Sequence, residues 1–248
     1  MTFLVGFVIA CGVGLTGVGA GAVTAPVLIL FFGLPAATSV GTALAFAAVI
    51  KFSVAPMYLF RRQVNPRTLW LLVTGGIPGV LCGVLLVGEL NARKYERTLF
   101  VLVGGTIALM ALYSLYRSLQ KNRPPVGRDR SGWLPLIALG IGTEVGFSSA
   151  GAGALGSLAL LNLTTLTPAQ VVGTDMLFGL VVSIIGGGFH VFGGHYDSSL
   201  LPKLLVGGVA GAFVGANLSA ILPARPLRIA LSLCLVALGV QLCCRGVF

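Results

Sequence analysis

Two stretches of the chain carry residues that could hold an anion without a metal. Gly19-Ala-Gly21-Ala and Gly151-Ala-Gly153-Ala both follow small hydroxyl residues, Thr16 in the first case and Ser148 and Ser149 in the second. Glycine lets a backbone turn sharply. Free N–H groups at Gly19, Gly21, Gly151 and Gly153 could therefore cradle oxyanion oxygens, with the hydroxyls as further donors. The competing reading is that these glycines only let helices cross closely.

Other candidates lie downstream. Gly41-Thr42 and Gly173-Thr174-Asp175 recur at equal distance from the two glycine stretches. Thr42 and Thr174 could each face the nearer stretch and bond a substrate, or could bond a carbonyl of their own helix. Asp175 is an acid inside an apolar run, an expensive placement that marks a candidate proton-coupling residue; it could equally cap the helix that begins there. Lys51, in another apolar run, could attract an anion near the membrane midplane or snorkel to the cytoplasmic surface. Glu144 and His190 complete the set, each near the end of its segment. Ser148 or Ser149 with His190 could suggest a serine hydrolase, but a nucleophile would not explain why the glycine pattern occurs twice.

The elements that must position these residues are membrane helices. The chain is 56% hydrophobic and only 9% charged, with mean hydropathy +1.02, whereas soluble domains carry roughly a quarter charged residues. The lipid bilayer is therefore its solvent. A net charge of +10 could suggest nucleic acid, but the basic residues sit in short connections between apolar segments, so no nucleic-acid partner is expected. The five cysteines show no metal-ligand spacing, and the proposed binding needs no cofactor. Met1 to Phe7 lacks a basic leader, so the first segment is expected to stay in the mature protein. Nothing in the sequence sets an oligomeric state.

Sliding the sequence along itself by 132 residues aligns the halves without gaps. Gly14 to Phe46 lies over Gly146 to Phe178, with GAGA on GAGA and Gly-Thr on Gly-Thr. The same register sets Gly75, Gly76, Gly79 and Gly83 over Gly207, Gly208, Gly211 and Gly215, and Arg93 over Arg225. Gly75, Gly79 and Gly83, and likewise Gly207, Gly211 and Gly215, are four residues apart, share one helix face and read as structural.

The fold class expected is an all-α integral membrane protein. It has two repeats of about five hydrophobic segments, with broken or re-entrant helices at the glycine motifs. Half one, 1–119, divides at roughly 3–18, 22–33, 36–60, 67–88 and 95–118; half two, 133–248, at 133–150, 153–165, 168–192, 199–220 and 225–245. A polar basic linker, 120–132, joins them. The second segment of each half is too short to span a hydrocarbon core of roughly 30 Å, and Pro26 is expected to break the first of these further.

Basic loops give orientation. Arg61, Arg62, Arg67 and the linker (Lys121, Arg123, Arg128, Arg130) are placed in the cytoplasm, as are Arg225 and Arg228. Gly193 to Ser199, without Lys or Arg, falls outside. This inverts the halves and puts both termini outside, with Arg93, Lys94 and Arg97 as a conflict partly offset by Glu89 and Glu96.

The runs GVGLTGVGAGAVTAPVLILFFGLP and ATSVGTALAF, with PAQVVGTDMLF in the second copy, resemble the TauE/SafE sulfite-exporter family over nearly the whole chain. That resemblance alone supplies sulfur. It implies a multi-pass bacterial inner-membrane transporter that exports sulfite or an organosulfonate. The family's usual polyglycine and Gly-Thr-Ser are here Gly19-Ala-Gly21-Ala and Gly41-Thr42-Ala43. From the residues, the alternatives are an anion channel on the same site and a carrier of another carboxylate or oxyanion.

Overall fold

A computed structural model describes residues 2–16, 20–90, 96–119, 130–151, 153, 155–218 and 224–247. Its described elements are helices: α1 (Thr2–Thr16), α2 (Ala20–Phe32), α3 (Ala36–Phe60), α4 (Pro66–Leu90), α5 (Glu96–Leu119), α6 (Leu134–Ser148), α7 (Leu155–Leu163), α8 (Pro168–Phe192), α9 (Leu200–Leu218) and α10 (Ala224–Val247). The repeat offset maps α1 onto α6 and α3 onto α8 residue for residue. Local signals set several ends. Thr167 and Gln170 form a capping box at the start of α8, with Pro168 in its first turn. Gly33, at φ +67°, ends α2, and the Leu34 N–H reaches back to the Leu28 carbonyl at 3.3 Å. Pro26 lies inside α2 without interrupting it. Its missing N–H frees one carbonyl, which a buried membrane helix tolerates.

The glycine faces explain how the helices pair. A Cβ on Gly75, Gly79 or Gly83 would run into the backbone carbonyls of Pro135, Leu139 and Thr143, and one on Gly207, Gly211 or Gly215 into those of Phe3, Phe7 and Cys11. So α4 lies parallel to α6 and α1 parallel to α9, backbone on backbone. Each pair takes one helix from each half, and the halves interlock.

Equivalent helices, by contrast, run antiparallel. On α3 and α8, Gly41 meets His190 and Gly187 meets Leu44 and Ala45. On α5 and α10, Gly104 meets Gly239, and Ser114 bonds Ser232 at 3.3 Å. A two-fold axis can set equivalent helices antiparallel only if it lies across them, in the membrane plane. The repeat is inverted.

The short helices are re-entrant. The Arg130 N–H, just before α6, donates to the Leu163 carbonyl at the end of α7 at 2.9 Å, so both ends share one face. With 15 and 9 residues, α6 and α7 are about 22 and 13 Å long, short of the roughly 30 Å core. In the other half, α1 runs parallel to α9, and hence to α3, while α2 turns back to α3 across three residues. That pair is re-entrant too. Among the described residues α3, α4, α5 and α8 are long and apolar enough to cross a membrane. With α9 and α10, the repeat equivalents of α4 and α5, counted alongside them, each half has three crossings, and an odd number inverts the second half.

Candidate functional site

The two glycine breaks meet across the two-fold. A Cβ on Gly21, at the start of α2, would collide with the Ser149 hydroxyl and carbonyl just beyond α6. Ser149 holds a left-handed conformation, φ +63°, uncommon without glycine and a pointer to a functional constraint. Its hydroxyl is buried and makes no hydrogen bond. Gly151 and Gly153 also have positive φ, +84° and +103°. Ser148 is differently engaged: its hydroxyl donates to Glu144 Oε1 at 2.7 Å and accepts from the Ala150 N–H at 3.1 Å. Gly19 and the side chain of Thr16 lie outside the described residues.

Asp175 does not cap the helix it belongs to. From the second turn of α8 it reaches the N-terminus of α7, where Ser157 Oγ donates to Oδ2 at 2.6 Å. The backbone N–H groups of Gly153 and Ser157 face the same carboxyl, and Gly156 lies against Oδ1, which itself makes no hydrogen bond. The positive end of α7 is thus already occupied by a carboxyl group of the protein itself. The equivalent position in half one is Ala43, fully buried. The two breaks share a sequence and differ in what fills them.

Lys51 does not snorkel. It is 6% exposed, and its ammonium donates to Ser183 Oγ at 3.2 Å. Residue 183 is 51 plus the repeat offset, so this bond joins equivalent positions and lies on the two-fold axis. Asp175 is near enough to act on Lys51 electrostatically, with no ion pair between them among the described residues. An ammonium has three donors, and this one spends a single donor on the described groups.

Thr42 and Thr174 do not face their own breaks. Thr42 Oγ1 donates to the Thr38 carbonyl at 2.7 Å and accepts the Asp197 N–H at 2.9 Å. Thr174 Oγ1 accepts the Asn65 N–H at 3.0 Å. Asn65 and Asp197 are themselves repeat equivalents, so each threonine ties down the turn after the long helix of the opposite half. His190 packs against Gly41 and edge-on to His195, ring centroids 6.0 Å apart. Sequence reasoning missed Ser157, Ser183, Asn65 and Asp197. The repeat offset applied to Lys51 points straight at Ser183.

The family model "Sulfite exporter TauE/SafE" matches residues 2–242 of the chain. The chain belongs to the TauE/SafE sulfite exporter family. Among its relatives, a probable membrane transporter protein of Bacillus subtilis, YdhB, is 30% identical over 94% of this chain and 95% of its own length. A second from that organism, YjnA, is 28% identical over 96% and 97%. A probable membrane transporter protein of Haemophilus influenzae is 27% identical over 88% and 82%. No solved structure matches. This family member is a multi-pass membrane transporter, not an enzyme.

Proposed function

We propose that this chain exports a small sulfur oxyanion, sulfite or an organosulfonate, across the bacterial inner membrane. The anion binds on the two-fold axis where the breaks meet. The observation that carries this reading is Lys51, a buried cation on the axis whose one described hydrogen bond goes to a neutral hydroxyl. Where the breaks meet, Ser149 contributes an unpaired hydroxyl against Gly21, and Ala43 stands in half one where Asp175 does in half two. Gly153 faces Asp175, and Ser148 and Gly151 lie against Glu144, so these residues support the second break instead of contacting the anion. Thr42 and Thr174 act as struts. Asp175, with Oδ1 unbonded and Lys51 as its neighbouring charge, takes up and releases the coupling proton.

Orientation follows from charge. The face carrying the α3–α4 turn and the start of α6 holds Arg61, Arg62, Arg67 and Arg130 and receives the basic linker; the opposite face holds Glu89, Arg97, His195, Asp197, Lys203 and Arg245, its cations partly offset by the two acids. The first is read as cytoplasmic. A monovalent anion leaving a cell with a negative interior gains roughly 2.3 kcal/mol per 100 mV, which suits export. Reconstituted protein should concentrate sulfite against its gradient when a proton gradient is imposed, and Asp175→Asn should remove that coupling while sulfite binding persists. Flux that only equilibrates sulfite, with or without the proton gradient, would overturn the carrier reading in favour of a channel.

A further inference from the structure

The two-fold makes the mouths of the protein comparable position by position, and their charges differ. At the Arg61 face, a cavity of about 110 Å³ is lined by Asn65, Arg67, Thr68, Ser131, Thr164 and Thr165 with two leucines, Leu71 and Leu166. None of these lining residues is acidic. Asn65 Oδ1 accepts the Thr68 N–H at 3.0 Å, which closes the first turn of α4. At the opposite face Asp197 stands in the place of Asn65 and does the same work, its Oδ1 accepting the Leu200 N–H at 2.9 Å. Both backbone N–H groups bond the equivalent threonine. The folds of the two turns coincide, and their charges do not.

Ser199 replaces Arg67 and Lys203 replaces Leu71, so the cation at the far mouth is shifted one helical turn. There it acts on the Asp197 carboxylate, whereas the guanidinium of Arg67 faces a cavity lined by neutral groups. Asp197 stays ionised at neutral pH. Partial burial pushes its carboxyl up, but the Ser199 hydroxyl and the backbone N–H groups of Leu200 and Ser199, with Lys203, outweigh this and hold it below the ordinary range. A depressed value means the charge is present above the usual carboxylate range and is lost only when pH falls below it.

The geometry points to the Arg67 cavity as a loading site, where a small oxyanion is captured from the Arg61 face before it reaches Lys51, with no matching site at the Asp197 mouth. This rests on the anion-export reading. The chemistry is that of a singly or doubly charged tetrahedral or pyramidal oxyanion: one guanidinium, with threonine and serine hydroxyls and the Asn65 amide as neutral neighbours. A cavity of about 110 Å³ accommodates one such ion.

The far mouth also supplies the test. Asp performs the Asn65 cap at position 197, so Asn65→Asp keeps the turn while setting a carboxylate beside Arg67. Sulfite flux would be followed in proteoliposomes of known orientation, with sulfite supplied from one side at a time. Asn65→Asp and Arg67→Gln should each raise the half-saturating sulfite concentration at least fivefold from the Arg61 face, and the Asn65→Asp effect should weaken as ionic strength rises. Asp197→Asn should lower half-saturation from its own face. Sulfite flux with unchanged half-saturation in Asn65→Asp and Arg67→Gln would overturn the loading site and leave the central site standing. A wild-type protein that carries no sulfite would overturn both.

Discussion

The two re-entrant breaks share the same GAGA sequence, yet among the described residues a carboxyl reaches only the second. At the second, Asp175 places its carboxyl at the α7 N-terminus, and Ser157 bonds it at 2.6 Å. At the first, the equivalents of Asp175 and Ser157 are Ala43 and Ala25, both fully buried and apolar. Duplication kept the backbone that can hold an anion, and side-chain divergence left one copy for the protein's own carboxylate. The same division runs through the molecule. Where helices meet backbone to backbone, at Gly75, Gly79 and Gly83 and at Gly207, Gly211 and Gly215, the halves stay alike because any Cβ collides. Where charges sit, at Lys51/Ser183, Ala43/Asp175 and Asn65/Asp197, they differ.

The most damaging way to challenge that contrast is to fill the empty break. Ala43→Asp should reduce sulfite transport by at least a hundredfold by giving the α2 N-terminus an internal anion, while the neutral Ala43→Asn, of similar size, should lose far less. Equal losses in the two variants would mean that bulk, not charge, separates the breaks. Lys51 gives a sharper and smaller effect. Lys51→Ser should cut sulfite flux about tenfold or more, and adding Ser183→Lys should restore much of it, because the two positions share the axis and a cation from either half reaches the same place. Failure of the exchange would show that the Lys51 site belongs to half one alone. The smallest effects test the symmetric part. Thr42→Val and Thr174→Val each remove the acceptor for one cross-half backbone N–H, worth about 1 kcal/mol. Each should lower the thermal midpoint by a few degrees, and equally. An unequal pair would mean that the turns at Asn65 and Asp197 are not held alike.

The helices are largely legible in the amino-acid sequence. The hydrophobic segments 36–60 and 168–192 coincide with α3 and α8, since hydrophobic length and turn residues such as Gly33 and Thr167-Pro168 act locally. The repeat offset is equally plain, and with it the glycine faces. Pro26 misleads because a proline is judged by its local cost, whereas within a buried bundle its neighbours absorb the lost hydrogen bond. The site is less legible. Asp175 stands out as an acid in an apolar run, but its role depends on which helix end it reaches, and that end belongs to α7.

What the sequence determined by itself was therefore everything that follows from hydrophobicity, chain length and duplication: a membrane protein, two related halves, short second segments and a set of polar residues too costly to be idle. Tertiary structure alone decided how the halves interlock, with α1 on α9 and α6 on α4, and which groups meet across them. Lys51 finds Ser183, Thr42 finds the turn at Asp197, and Gly21 finds Ser149. The physical reason is that each of these contacts joins the two halves, and an inverted two-fold brings together residues that no local pattern relates.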